Sequence, residues 1–246
     1  MKRIAFYNSK GGTGKTTLSG SVANEIVDCR VVLIDFDTQG NLSTWLLEEA
    51  KIELADVLYG KQPVRDALVE IRPGLSIIPT FGAGGSLQQF TDTSLTRSPQ
   101  AIGFLMQDLE LFADIVICDL SPSQGLLERY AIAEMDEIFV PVSAEFFGLD
   151  GVEIVNAFLS SINQENRTRV KIGALILNMV NRSYSRHLAV CDALTKLDYP
   201  LRLVPQDAHL ANAQFEHNFI AEYCRAFVPI KELANLITGG LYAPTR

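Results

Sequence analysis

Lys10-Gly11-Gly12-Thr13-Gly14-Lys15-Thr16-Thr17 follows an apolar run at residues 3–8 and opens a segment, residues 15–27, in which Leu18, Val22 and Ile26 recur every four positions. Strand, glycine-rich turn and helix in that order make a phosphate cradle. Glycines let successive backbone N–H groups curl around an anion, and the positive end of the following helix adds to the attraction. Against the generic pattern G-x-x-x-x-G-K-[ST], Gly14, Lys15 and Thr16 match the second half, whereas Ser9 stands where the first glycine belongs. The expected ligands are ATP and Mg²⁺. Gly11, Gly12, Thr13 and Gly14 are expected to offer the backbone cradle, Lys15 to reach the β- and γ-phosphates, Thr16 to hold the metal, and Thr17 to donate toward the α-phosphate.

Six further apolar runs, at residues 31–35, 75–79, 114–119, 137–142, 172–179 and 201–204, are mostly continuous rather than alternating, as strands buried on both faces should be. Amphipathic segments lie between them; residues 148–162, for example, repeat Val152, Val155, Phe158 and Leu159. The alternation predicts an α/β fold, a doubly wound and mostly parallel sheet with helices on both faces, in one P-loop ATPase domain over residues 1–246. Ligand sites in such sheets lie outside the carboxyl ends of the strands. Residues 40–73 read as short helical pieces without a strand, and Gly82-Ala83-Gly84-Gly85 as a loop. A last helix is expected near residues 229–237, with Pro229 at its start and Gly239-Gly240 at its end.

Composition is that of a globular protein, 48% hydrophobic and 20% charged. Residues 1–164 carry 11 Lys and Arg against 22 Asp and Glu, and residues 165–246 carry 10 against 7. An acidic body with a mildly basic last third argues against whole-surface nucleic-acid binding and leaves room for a local patch. Four cysteines without a C-x-x-C pair and three histidines without metal-ligand spacing argue for a reducing compartment and against zinc. No signal peptide or membrane-length apolar run is present, so a cytoplasmic location is expected.

The apolar runs also deliver carboxylates. Asp35 and Asp37 stand two apart at the end of one, and Asp119 closes another, followed by Leu-Ser-Pro-Ser. Carboxylates at an apolar strand end are costly unless a cation is near. Asp35 and Asp119 are therefore expected in the magnesium shell, and Asp37, just past its strand, to orient the attacking water. Asn178 could pair with a base edge, and the Pro205-Gln206-Asp207 turn could form the other wall of an adenine slot.

With these residues in hand, the chain resembles the ParA/MinD family of deviant-Walker ATPases, and ParA-type partition proteins most closely. The resemblance rests on K-G-G-T-G-K-T-T, I-D-F-D-T-Q-G-N, I-V-I-C-D-L-S-P-S and the stretch 141–151, P-V-S-A-E-F-F-G-L-D-G. It implies a catalytic Lys10 that reaches the nucleotide of a partner subunit in an ATP-dependent homodimer, and nonspecific DNA binding by that dimer, hence nucleoid association. It also implies release when a ParB-like or other cargo adaptor stimulates hydrolysis. Thr38, Ser121 and Thr13 depart from the family's Pro, Pro and Val. From the short run before the first strand, no separate N-terminal DNA-binding domain is expected. Arg182, Arg186, Arg202, Arg225 and Lys231 are the candidate contacts to DNA phosphates. Two alternatives are a MinD-like membrane-cycling ATPase, disfavoured because residues 239–246 (G-G-L-Y-A-P-T-R) cannot form a basic amphipathic helix, and a metabolic P-loop enzyme, for which no substrate pocket is evident.

Overall fold

The computed structural model describes residues 1–82, 84–144 and 148–239, with backbone alone at 148 and 149. β1 (Lys2–Phe6) runs into the glycine-rich turn and α1 (Lys15–Asn24), then β2 (Val31–Asp35). Three short helices, α2 (Asn41–Leu46), α3 (Leu54–Leu58) and α4 (Val64–Ala67), precede a hairpin of β3 (Val69–Arg72) and β4 (Leu75–Ile78). α5 (Leu87–Thr93), α6 (Ala101–Leu109), β5 (Ile115–Asp119), α7 (Leu126–Ala133), β6 (Glu137–Ser143) and α8 (Gly148–Asn166) follow. The described chain ends with β7 (Lys171–Val180), α9 (Ser185–Leu194), β8 (Leu201–Pro205), α10 (Ala208–Phe215) and α11 (Phe227–Thr238).

The strands form one sheet in the order β3-β4-β2-β5-β1-β6-β7-β8, parallel except at the β3–β4 edge. Their two-residue alternation splits the core. Ile4, Phe6, Leu33 and Ile117 pack with Leu18 and Val22 of α1 and with Ile230 and Leu233 of α11. Ala5, Ile34 and Cys118 pack on the other side with α3, α5, α6, α7 and α8. The expected doubly wound sheet is thus present. β1 lies between β5 and β6, so the turn after it opens where the strand order reverses, the place at which such sheets leave a crevice.

β3 corrects the expectation that residues 40–73 hold no strand. It is a four-residue, half-buried edge strand with no apolar run to announce it, and its pairing with β4 turns on Pro73-Gly74, where Gly74 takes φ 82°. α1 stops at Asn24 rather than at Val27, which is 66% exposed. Arg72 of β3 donates from Nη2 to the carbonyls of Ala23 and Ile26 at 3.4 and 3.0 Å, satisfying groups that the helix end leaves open. α11 begins two residues before its expected start, with Pro229 in its first turn, and ends at Gly239 with φ 66°. No helix among the described residues is long and apolar enough to cross a membrane.

Candidate functional site

The turn between β1 and α1 is built from left-handed glycines, Gly12 at φ 72° and Gly14 at φ 90°. Gly14 caps α1 without any side-chain hydrogen bond, which leaves the first N–H groups of the helix free of an internal acceptor. The turn is tied down behind. Asn8 donates from Nδ2 to Pro141 O at 2.7 Å and accepts Lys10 N–H on Oδ1 at 3.0 Å. Lys15 is buried and donates from Nζ to Lys10 O at 3.2 Å. Burial lowers its pKa, against the opposing pull of Asp119 and Asp37.

Alternation along β2 and β5 carries Asp35 and Asp119 to the face covered by α1, since Leu33 and Ile117 two residues earlier pack there. The strands pair Asp35 directly with Asp119. Both are fully buried, yet their surroundings differ. Asp35 accepts Ser43 Oγ–H at 2.7 Å and Ser43 N–H at 2.9 Å on Oδ2, and Asp37 N–H at 3.2 Å on Oδ1. Its pKa is nonetheless pushed up to about 7 by burial, with Asp37 adding to the rise. Neither carboxylate oxygen of Asp119 has a hydrogen-bond partner of good geometry. Burial first and Asp35 next raise its pKa well above the usual range, while the Thr16 hydroxyl and Lys15 act against them. Asp37 lies just past the strand and caps its own turn by accepting Gln39 N–H at 2.9 Å.

A buried, unpartnered carboxylate beside a lysine and a threonine hydroxyl fits a hard cation whose shell is completed from outside the protein. No cluster of three or more His, Cys, Asp or Glu among the described residues could hold a metal unaided, and Mg²⁺ usually takes one or two carboxylates with waters and phosphate oxygens.

Two adjoining cavities open here. The phosphate-side one, about 1040 Å³, is lined by Gly11, Gly14, Lys15, Thr16 and Asp37, among others. The second, about 910 Å³, brings Asn178, Pro205, Gln206 and Asp207 together with Thr17. Thr17 and Met179 belong to both. Within the second cavity two expected ligands are already engaged. Asn178 donates from Nδ2 to Thr13 O at 2.9 Å, and Asp207 caps α10 through His209 N–H at 3.0 Å while accepting Ala226 N–H at 3.2 Å.

Of the candidate DNA contacts, Arg182 and Arg225 line that same cavity, and Arg225 Nη2 donates to Gln206 O at 3.3 Å. The other three lie apart: Arg186 on α9 over the Tyr184 ring, Arg202 on edge strand β8 at 4.0 Å from Glu232, and Lys231 on α11 over the Phe227 ring. Residues 145–147 of the stretch 141–151, and the tail from 240 to 246, lie outside the described residues.

Sequence reading missed Ser43, which holds Asp35 and accepts Thr80 N–H at 2.9 Å, and Pro122 and Trp45, which line the phosphate-side cavity. Ser43 and Trp45 carry no local pattern, although Trp45 is the chain's one tryptophan, and Pro122 stands in the stretch I-V-I-C-D-L-S-P-S without a role assigned to it from sequence.

A family model described as an AAA domain (AAA_31) matches residues 1–172. The protein BBD21 of Borreliella burgdorferi is 34% identical over 241 residues, covering 96% of this chain and 98% of that one. The chromosome partitioning protein ParA of Caulobacter vibrioides is 32% identical over 196 residues, covering 75% of this chain and 72% of that one. The cell division protein PomZ of Myxococcus xanthus is 29% identical, covering 83% and 65%. Among solved structures, a plasmid partition protein (BB_S35) from Borrelia burgdorferi B31 bound to AMPPNP superposes with TM-score 0.82 at 20% identity, covering 97% of each chain. A variant of McdA from Cyanothece in complex with ATP gives 0.85 at 16%, covering 97% of this chain and 96% of that one. Cobyrinic acid a,c-diamide synthase from Mycobacterium smegmatis, with an ATP analogue and magnesium, gives 0.81 at 20%, covering 96% and 93%. These three likenesses speak for the fold alone, and one of the three is a biosynthetic enzyme.

Proposed function

The chain belongs to the AAA_31 domain family and, within it, to the ParA-type partition and positioning ATPases, and from that membership we propose that it is a MgATP-driven switch that positions DNA or another cargo. Residues 10–17 take the triphosphate, with the amides of the glycine turn and Lys15 neutralising its charge. A magnesium ion held by Thr16 and, through water, by Asp119 would offset charge on the β- and γ-phosphates. Asp35 stands beside Asp119, and Asp37 orients the attacking water. Pro205, Gln206 and Asp207 wall the base.

Lys10 of each subunit serves the nucleotide of the other, so ATP favours a homodimer and hydrolysis removes the shared contact. The dimer binds DNA nonspecifically and associates with the nucleoid. A ParB-like or other adaptor stimulates turnover and release. Sequence relatives favour this reading over a metabolic enzyme on the same scaffold, because fold likeness does not separate the two.

One observation supports the reading above the rest: the unpartnered carboxylate of Asp119 stands beside Lys15 and Thr16, at the mouth of an uncapped helix. The test is ATP turnover by the purified protein with Mg²⁺, alone and with nonspecific DNA. Turnover that rises with DNA and vanishes in Lys15→Ala supports the proposal; Mg-independent turnover, or none, refutes it.

A further inference from the structure

Asn178, at the end of β7, touches a loop 165 positions away in the chain. Both ends of its amide are in use. Nδ2 donates to Thr13 O at 2.9 Å, and Oδ1 accepts Met179 N–H at 2.9 Å. The side chain is 3% exposed. The contact is so close that a Cβ on Gly14 would collide with the Asn178 amide nitrogen. Met179 is one of three non-glycine residues with positive φ among those described, at 57°, and β7 and β8 lose register between Leu177 and Val180 to accommodate it. Such a conformation costs of order 1 kcal/mol or more and persists only where its surroundings enforce it. The bond from Met179 N–H to Asn178 Oδ1 orients the peptide plane that leads into this residue.

We propose that Asn178 is a positioning residue for the phosphate loop and not a reader of the base edge. The inference rests on the reading of this site as one for MgATP. A trans peptide points its C=O and N–H in opposite directions, and the chain contains no cis peptide among the described residues. By holding Thr13 O, Asn178 fixes the plane of the Thr13–Gly14 peptide and turns the Gly14 N–H the other way. Gly14 itself lines the phosphate-side cavity. Without the amide, Thr13 O loses its partner and the peptide is free to rotate, so one donor of the cradle is no longer preset. A lost hydrogen bond of about 1.4 kcal/mol corresponds to about tenfold in affinity.

The base-reading and loop-positioning roles separate when the base is changed and the phosphates are kept. Mg-dependent binding of ATP and of ITP, which lacks the 6-amino group, is titrated by calorimetry and by Trp45 fluorescence for wild type, Asn178→Ser and Asn178→Asp. The expected result is an equal loss for both nucleotides, about tenfold in Asn178→Ser and more in Asn178→Asp, where a carboxylate would face the Thr13 carbonyl. The wild-type ratio of ATP to ITP affinity stays unchanged. A loss confined to ATP, so that the ratio collapses toward one, overturns the inference, as does an unchanged affinity for both. Thermal unfolding without ligand shows which variant is folded, and either suffices because the ratio is read within one protein. If wild type binds neither nucleotide, the reading of the site fails instead.

Discussion

Asp35 and Asp119 are register partners on adjacent parallel strands, both fully buried, and only Asp35 receives hydrogen bonds of good geometry on its oxygens. Two carboxylates so placed cannot both ionise cheaply without a cation. The arrangement is therefore a tension in the unliganded protein and a binding determinant once charge arrives.

That tension has a pH signature. The folded-state pKa of Asp35 is raised from 3.8 to about 7, and burial raises that of Asp119 well above its ordinary value. The folded protein then holds more protons than the unfolded chain between about pH 4 and pH 7, so the stabilisation is complete below that window and is lost as pH rises through it. Urea unfolding without metal or nucleotide should show stability falling by roughly 1 to 4 kcal/mol from pH 5 to pH 7.5. Asp35→Asn should flatten the slope. Stability that rises over this window, equally in both proteins, contradicts the assignment.

Asp119→Asn should move stability and activity in opposite directions. At pH 8 it removes a buried carboxyl that the fold must either keep charged or protonate at a cost, and the unliganded variant should be more stable than wild type by about 1 kcal/mol or more. The same change takes away the carboxylate meant for magnesium, so Mg-dependent turnover should fall by about 100-fold or more. Chemical denaturation and steady-state ATPase assays read the two effects. A variant both less stable and fully active would place Asp119 outside the site.

Gly20 lies inside α1, yet the Trp45 ring occupies the space a Cβ would need. Gly→Ala in a helix interior ordinarily gains about 1 kcal/mol. Overpacking against a buried aromatic costs about 1 to 3 kcal/mol and should win. Gly20→Ala is expected to lower Tm and shift Trp45 emission; a raised Tm would show that the ring moves aside freely.

Arg182 and Arg225 meet at one cavity, whereas the other candidate cations are dispersed. Charge reversal at both should abolish ATP-dependent DNA binding measured at low salt, and the salt dependence of wild-type binding should be steep. Both arginines line the cavity assigned to the base, and Arg225 holds Gln206 O, so nucleotide affinity is measured beside it and DNA binding is compared at saturating ATP. DNA binding that survives the double reversal would move the contact surface to Arg186, Arg202 or Lys231.

What the sequence made legible was what is contiguous in it. Residues 10–17 carry their strand, turn and helix within one stretch, and Asp35 and Asp119 advertise themselves as charges closing apolar runs. The eight-stranded sheet followed from continuous apolar strands, except for β3, whose four residues owe their pairing to the Pro73-Gly74 turn. Contacts between distant segments left no local trace. Ser43 reaches Asp35 only because α2 folds back over β2, and Trp45 marks its place only by filling the gap at Gly20. Asn178 shows the limit most clearly. A strand-end asparagine reads from sequence as a turn former or a reader of a base edge, and its contacts with Thr13 and Met179 come only from the fold.

The account depends most on Lys10, whose backbone carbonyl already receives Lys15 and whose side chain is assigned to the neighbouring subunit's nucleotide. The direct measurement is the mass in solution, by sedimentation velocity, of wild type and Lys10→Ala with MgATP and with MgADP. The account predicts a dimer for wild type with ATP alone and a monomer in the other three conditions. A variant that still pairs with ATP, or a wild type whose mass ignores the nucleotide, would contradict it.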